Sequence, residues 1–343
     1  MSTSTAEWSN LTAATTSSFL QRKANTPTNR VLTTLSGSLS LLGTSLIIVT
    51  YFLWKDFRST SRTILVYISF ADFCIAGGTL VALWHGSAGV NKLCIAQSFV
   101  TTTASLWSFF WTTFLAAFMY MTVVKKQRKK AQIMFKVFHV LGWGIPLVIV
   151  GTALGLNKLG NDNDYFTSGW CWIQFNLSDK RFWMLITGKG WEMASYILCS
   201  AFYFMLKLHI RNEVRHHRRQ FPSETSKETA LKIERKLTLV PVIFVMVRIW
   251  GTVRFILYVS DPHSPSEQHA WWEEALLYLQ GMGDSSQGFA NFLLFCFFTD
   301  RFQAHLSQAT HNLFSRCRKQ ESVSETSQST EATHSQKTVV NEK

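Results

Sequence analysis

Seven stretches of the chain stay apolar for about the length a helix needs to cross a bilayer, roughly 20 residues, with polar connections between them. They run over 31–54, 63–84, 94–124, 133–156, 182–206, 236–259 and 271–298. At ~1.5 Å per residue the third exceeds the hydrocarbon thickness and is expected to tilt. None shows the short alternating segments of a membrane barrel. The pattern predicts an all-α membrane protein, a seven-transmembrane-helix bundle over 31–298. Residues 1–30 are polar and expected to be disordered and extracellular; they lack the apolar centre of a signal peptide, so the first span is expected to act as its own insertion signal. Beyond the seventh span Phe302, Leu306, Ala309, Leu313 and Phe314 recur at helical spacing. A short amphipathic helix over 299–317, lying on the membrane surface, is expected there, followed by a disordered cytoplasmic tail over 318–343 rich in Ser, Thr, Glu and Gln.

Composition supports the pattern. The chain has 343 residues, 47% hydrophobic and only 16% charged, against about a quarter charged in soluble domains. A net charge of +13 would suggest nucleic acid if it were spread evenly, but its placement points to membrane topology instead. If the N-terminus is outside, the three inner loops hold seventeen Lys and Arg and the outer loops four. The positive-inside rule then puts the C-terminus in the cytoplasm of a multi-pass plasma-membrane protein, despite Arg22, Lys23 and Arg30 in the N-terminal flank. The sequons at Asn10 and Asn176 fall on the outer side, where glycosylation can occur. Cys317 follows the amphipathic segment as a palmitoylation candidate, with an unmodified thiol as the alternative.

Cys94 opens the third span and Cys171 lies in the second outer loop within Trp170-Cys171-Trp172. They are the two cysteines at outer positions, where a disulfide can form. Such a bridge would pin the loop across the mouth of the bundle. In the seventh span Gln280, Asp284, Gln287 and Asn291 share one helix face; in the third, Gln97, Thr101, Ser105, Ser108 and Thr112 do. Polar side chains at membrane depth face the bundle interior or water. Interhelical glue is the alternative role for most of them. Asp72, Asp284 and Arg248 lie near mid-membrane, Lys189 and Glu192 are placed to pair three residues apart, and Arg254 is near enough to the outer surface to snorkel. An internal network of Asp72, Asp284, Gln287 and Asn291 is expected, with Arg248 pairing Asp284. Pro146 and Pro241 mark expected kinks.

No lysine lies in 271–298, which excludes a retinal Schiff base there, and only His85 and His139 approach a span, too few for a membrane zinc hydrolase. No cofactor and no enzyme activity is implied. A receptor remains, with a seven-helix carrier or channel as the alternative. The ligand-pocket candidates are Lys189, Glu192, Arg248, Arg254, Gln97, Thr101 and Gln280.

Several blocks resemble the G-protein-coupled receptors related to the slime-mould cyclic-AMP receptors. They include Ser69-Phe70-Ala71-Asp72, Ser108-Phe109-Phe110-Trp111-Thr112, Gly142-Trp143-Gly144-Ile145-Pro146, Gly169-Trp170-Cys171-Trp172-Ile173 and Thr252-Val253-Arg254-Phe255. The Gly-Trp-Gly-x-Pro block and the Gln287-Gly288, Ala290-Asn291 run are also similar to the secretin and adhesion receptors. The likeness covers roughly 30–300. It implies the seven-helix fold, the Cys94–Cys171 bridge and coupling to a heterotrimeric G protein. A cyclic nucleotide becomes one candidate for the unknown extracellular ligand, and a phosphorylated Ser/Thr-rich tail one contact for arrestin. Membrane lipid is the other expected partner; nucleic acid is not. The rhodopsin-class Asp-Arg-Tyr is absent from the inner end of the third span, which reads Tyr120-Met121-Thr122-Val123.

Overall fold

A computed structural model describes residues 26–55, 58–85, 92–161, 167–217, 239–260, 270–294, 304 and 307–308. Asn10, Cys317 and the apolar face of the expected amphipathic helix lie outside them. Among the described residues the chain forms seven long helical rods. The first four are α1 (Pro27–Leu53), α2 (Thr60–His85), α3 (Lys92–Met119), prolonged by a π turn at Tyr120–Val124, and α4 (Arg128–Gly155). The fifth rod joins α5 (Lys180–Met184), a second π turn (Leu185–Lys189) and α6 (Gly190–His217). The last two are α7 (Leu239–Ser260) and α8 (Ala270–Phe292). Between α4 and α5 two short strands, β1 (Leu159–Gly160) and β2 (Trp172–Ile173), pair antiparallel.

The surface is far more apolar than that of a water-soluble protein. Val31, Leu42, Val140, Val148, Ile197 and Met246 are each more than half exposed, while Asp72, Arg248, Gln287 and Asn291 are buried. An aliphatic surface, with the polar side chains turned inward beside a core that includes Leu106, Trp111 and Phe244, suits lipid, because lipid tails satisfy no hydrogen bond. In α1 the start is set by Pro27 in the first turn and by the Thr26 hydroxyl, which accepts the Asn29 N–H at 3.4 Å. Its buried face is small and polar: Asn29, Thr33, Gly37, Ser40, Gly43 and Thr44. That face lets α8 approach closely enough that a Cβ on Gly288 would strike Thr44 and Ser40.

Five of the rods are long and apolar enough to cross a membrane by length and composition: α1, α2, α3 with its π turn, α4 and the Val242–Ser260 part of α7. The fifth rod and α8 fall short by that measure. In α8 the reason is the polar stripe itself, together with Glu273 and Glu274 in its first turns. The prolines differ from one another. Pro146 sits inside α4, which continues through it. Pro241 lies at the beginning of the described part of α7.

Candidate functional site

The segment carrying β2 lies across one end of the bundle and is held from several helices. Cys94 at the start of α3 is disulfide-bonded to Cys171, with the Cα atoms 5.6 Å apart. One turn further along α3, Gln97 accepts the Cys171 N–H at 3.0 Å and donates to Thr101 at 3.0 Å. Ser98 donates to the Trp172 carbonyl at 2.6 Å. From α1, Asn29 donates to the Ser168 carbonyl at 2.9 Å, and the Ser168 hydroxyl donates to the Leu277 carbonyl of α8 at 2.9 Å. Outside this clamp Lys158 grips Asp179 through both carboxylate oxygens, at 2.8 and 3.0 Å, and the Trp183 indole donates to Asp179 at 2.8 Å. Those bonds favour the ionised carboxylate and hold Asp179 below its ordinary range.

Beneath the loop is a cavity of about 70 Å³, lined among others by Thr101, Thr102, Trp172, Lys189, Arg248 and Asp284. The second π turn, closed by the Gly190 N–H on the Leu185 carbonyl, ends at Lys189. π turns recur at functional sites because the extra residue re-aims a side chain. Lys189 bonds Glu192 at 2.6 Å, and Tyr196 donates to the other Glu192 oxygen at 2.6 Å while lying 3.3 Å from the Thr252 hydroxyl. Both Lys189 and Glu192 are buried. Gln280 receives a hydrogen bond from Arg254 and lines the same cavity as Asp284.

A second buried network lies deeper. Arg248 donates through Nε to the Gln287 amide oxygen at 2.6 Å. Gln287 Nε2 donates to the Ser108 hydroxyl at 3.0 Å, and Ser108 donates to Asp72 Oδ1 at 2.9 Å. Asn291 donates to the other Asp72 oxygen at 3.1 Å. The chain Arg248–Gln287–Ser108–Asp72–Asn291 therefore ties α7, α8, α3 and α2 into one relay. The Arg248 guanidinium carbon also lies 4.9 Å from the Phe109 ring centroid and 5.9 Å from that of Phe244, a cation–π setting that fixes its direction.

Residues 27–290 match the family described as 7 transmembrane receptor (Secretin family). The chain belongs to that family. The receptor is 36% identical over 275 residues to human G-protein coupled receptor 157, covering 78% of this chain and 80% of the relative. It is 25% identical over 156 residues to Cyclic AMP receptor 1 of Dictyostelium discoideum, covering 45% and 38%. With the zebrafish (Danio rerio) Adhesion G-protein coupled receptor G6 it shares 24% identity over 282 residues, 78% of this chain and 22% of that one. It is a G-protein-coupled receptor, a multi-pass membrane protein, and its family is one of receptors rather than of enzymes.

The receptor's polar residues are sorted by the fold into two groups that their spacing does not separate. Asp72, Gln287 and Asn291 join the deep relay; Asp284, one turn from Gln287, joins the cavity instead. The expected Arg248–Asp284 ion pair is absent among the described residues. Arg248 is spent on Gln287 and acts on Asp284 only through space, because the two phenyl rings hold its guanidinium one turn deeper. Arg254 does not snorkel to the surface; it turns inward to Gln280, a buried acceptor that would otherwise be left short. Gln97 is absent from the cavity lining because the Cys171 amide and Thr101 occupy it, whereas Thr101 and Gln280 do line it. Asn176 is exposed in a turn. His139 is engaged by the Phe135 carbonyl at 2.9 Å and the Tyr67 hydroxyl at 3.2 Å. The hub role of Ser108 and the place of Tyr196 were not legible in the pattern. Ser108 lies on the polar face of its helix, but only the fold brings Gln287 and Asp72 to it.

Proposed function

We propose that the receptor crosses the plasma membrane seven times with its N-terminus outside and its C-terminus in the cytoplasm. In this reading an extracellular ligand enters the cavity under the Cys171 loop, and a heterotrimeric G protein engages the basic inner ends of the rods. The observation that carries it is Arg248, which lines the cavity and also begins the relay to Asp72. A ligand that moves Arg248 changes the hydrogen bonds holding four helices, and only such a difference between states can shift a conformational equilibrium. Lys189, Glu192, Gln280, Asp284 and Thr101 complete the pocket, Arg254 holds Gln280 from behind it, and Gln97 positions the loop above it.

The remaining features fit the same orientation. Glycans at Asn10 and Asn176 would stand outside. The surface helix over 299–317, with palmitate on Cys317 and anionic lipid nearby, would lie on the inner leaflet. Phosphates on the 318–343 tail would draw arrestin. One relative is named for cyclic AMP, which places cyclic nucleotides among the ligands to test.

Guanine-nucleotide exchange on a panel of G proteins, measured beside ion flux in the same cells, tests the reading. Exchange that changes with Arg248→Gln supports it. Flux with no exchange on any G protein overturns it.

A further inference from the structure

Each charged group lining the cavity can be asked what satisfies it. Glu192 is complete, with Lys189 on one oxygen and Tyr196 on the other, and Lys189 is neutralised by Glu192. Arg248 is not complete: its Nη2 is buried without a hydrogen-bond partner, although the residue is only 4% exposed. The buried Thr102 hydroxyl on the same cavity is also unpartnered. Asp284 feels Lys189 and Arg248 through space but forms no ion pair among the described residues. A guanidinium with an unfilled donor and a carboxyl group without a direct ion-pair partner thus line the same small space without meeting each other.

Their separation is constrained. Arg248 is bonded to Gln287, and Asp284 precedes Gln287 by three residues, or ~4.5 Å along the helix axis. A bare anion at Arg248 would be opposed by Asp284, and a bare cation at Asp284 by Lys189 and Arg248, each in a setting of low dielectric where such repulsion is large. A molecule carrying both charges a few ångströms apart meets neither penalty and completes both groups. The cavity volume of about 70 Å³ suits a head group of that kind.

We propose that the cavity recognises a small zwitterion, with an acidic group on Arg248 Nη2 and the Thr102 hydroxyl and an ammonium group on Asp284. This rests on the cavity being the ligand site. It deepens that reading by naming the chemical class.

The test uses the purified full-length receptor in lipid nanodiscs, with thermal unfolding and nucleotide exchange on an added G protein as parallel readouts. Glycine, β-alanine and taurine are the bipolar probes; acetate, ethylammonium and cyclic AMP are compounds that lack one of the two charges. The expected result is a Tm rise of about 2 °C or more with at least one bipolar probe at millimolar concentration. The single-charge compounds leave Tm unchanged, and Arg248→Gln and Asp284→Asn each abolish the rise. The comparison among probes is made on the wild-type protein, so it stands even if a variant fails to fold. Equal stabilisation by acetate or cyclic AMP overturns the proposal, as does the absence of any rise with all three bipolar probes. A bipolar probe that stabilises the receptor but leaves nucleotide exchange unchanged overturns the agonist reading while the ligand class stands. An unrelated agonist whose action needs Arg248 does the reverse.

Discussion

Ser108 serves two buried neighbours at once, accepting from Gln287 and donating to Asp72. Its hydroxyl is therefore hard to replace. Ser108→Ala leaves the Gln287 amide hydrogen and one Asp72 oxygen without partners, and an orphaned buried group costs about 1–3 kcal/mol. A lower Tm and an altered basal rate of nucleotide exchange are expected, measured by thermal unfolding and GTPγS binding on the purified receptor. Asp179 offers a pH prediction at the same scale. Its carboxyl lies below the ordinary range because of Lys158, so its contribution is present at neutral pH and is lost as pH falls through the depressed value. Asp179→Asn should therefore lower Tm at neutral pH and flatten its fall below about pH 4; an unchanged acid limb would count against the role of the ion pair. Much of this scale was legible only as residue type. Arg248 stands out in the sequence as a charge at membrane depth, but its partner depends on which rotamer the rings of Phe109 and Phe244 permit.

The helices pack through small residues, and their contact points differ sharply in tolerance. A Cβ on Gly283 would run into the Val247 carbonyl of α7, whereas one on Gly144 meets nothing within 4 Å. Gly283→Ala must push α7 from α8, at the place where Arg248 reaches Gln287. It should reduce the yield of folded receptor at the cell surface severalfold, as read by flow cytometry. Gly144→Ala should match wild type or exceed it slightly, since alanine is the better helix former. Element positions followed the apolar pattern closely: the expected 31–54 span is found as Pro27–Leu53. The two π turns were not foreseen. A π turn inserts one residue and shifts the helical phase by ~100°, a change that a nearly continuous apolar run does not display.

At the scale of the molecule, charge is polarised along the bundle. Lys125, Lys126, Arg128, Lys129 and Lys130 cluster where α3 gives way to α4, at the far end of α3 from the Cys94–Cys171 bridge. Neutralising these five with Gln should weaken G-protein activation at least several-fold and leave the binding of cavity ligands unchanged, as measured by nucleotide exchange and by ligand-induced Tm shifts. Equal loss of both would place the defect in folding instead. The positions of the long helices, the polar faces of α3 and α8 and the candidate cysteines Cys94 and Cys171 were determined by the sequence alone, because a helix in lipid needs a long apolar run whose polar side chains keep to one face; the fifth rod, expected over 182–206, reaches from Lys180 to His217. The tertiary structure decided the pairings. It divided one polar stripe on α8 between a cavity and a relay, gave Arg248 to Gln287 rather than Asp284, and turned Arg254 inward. Those choices depend on helix rotation and on approach distances set by glycine contacts between helices far apart in sequence, and no local pattern encodes them.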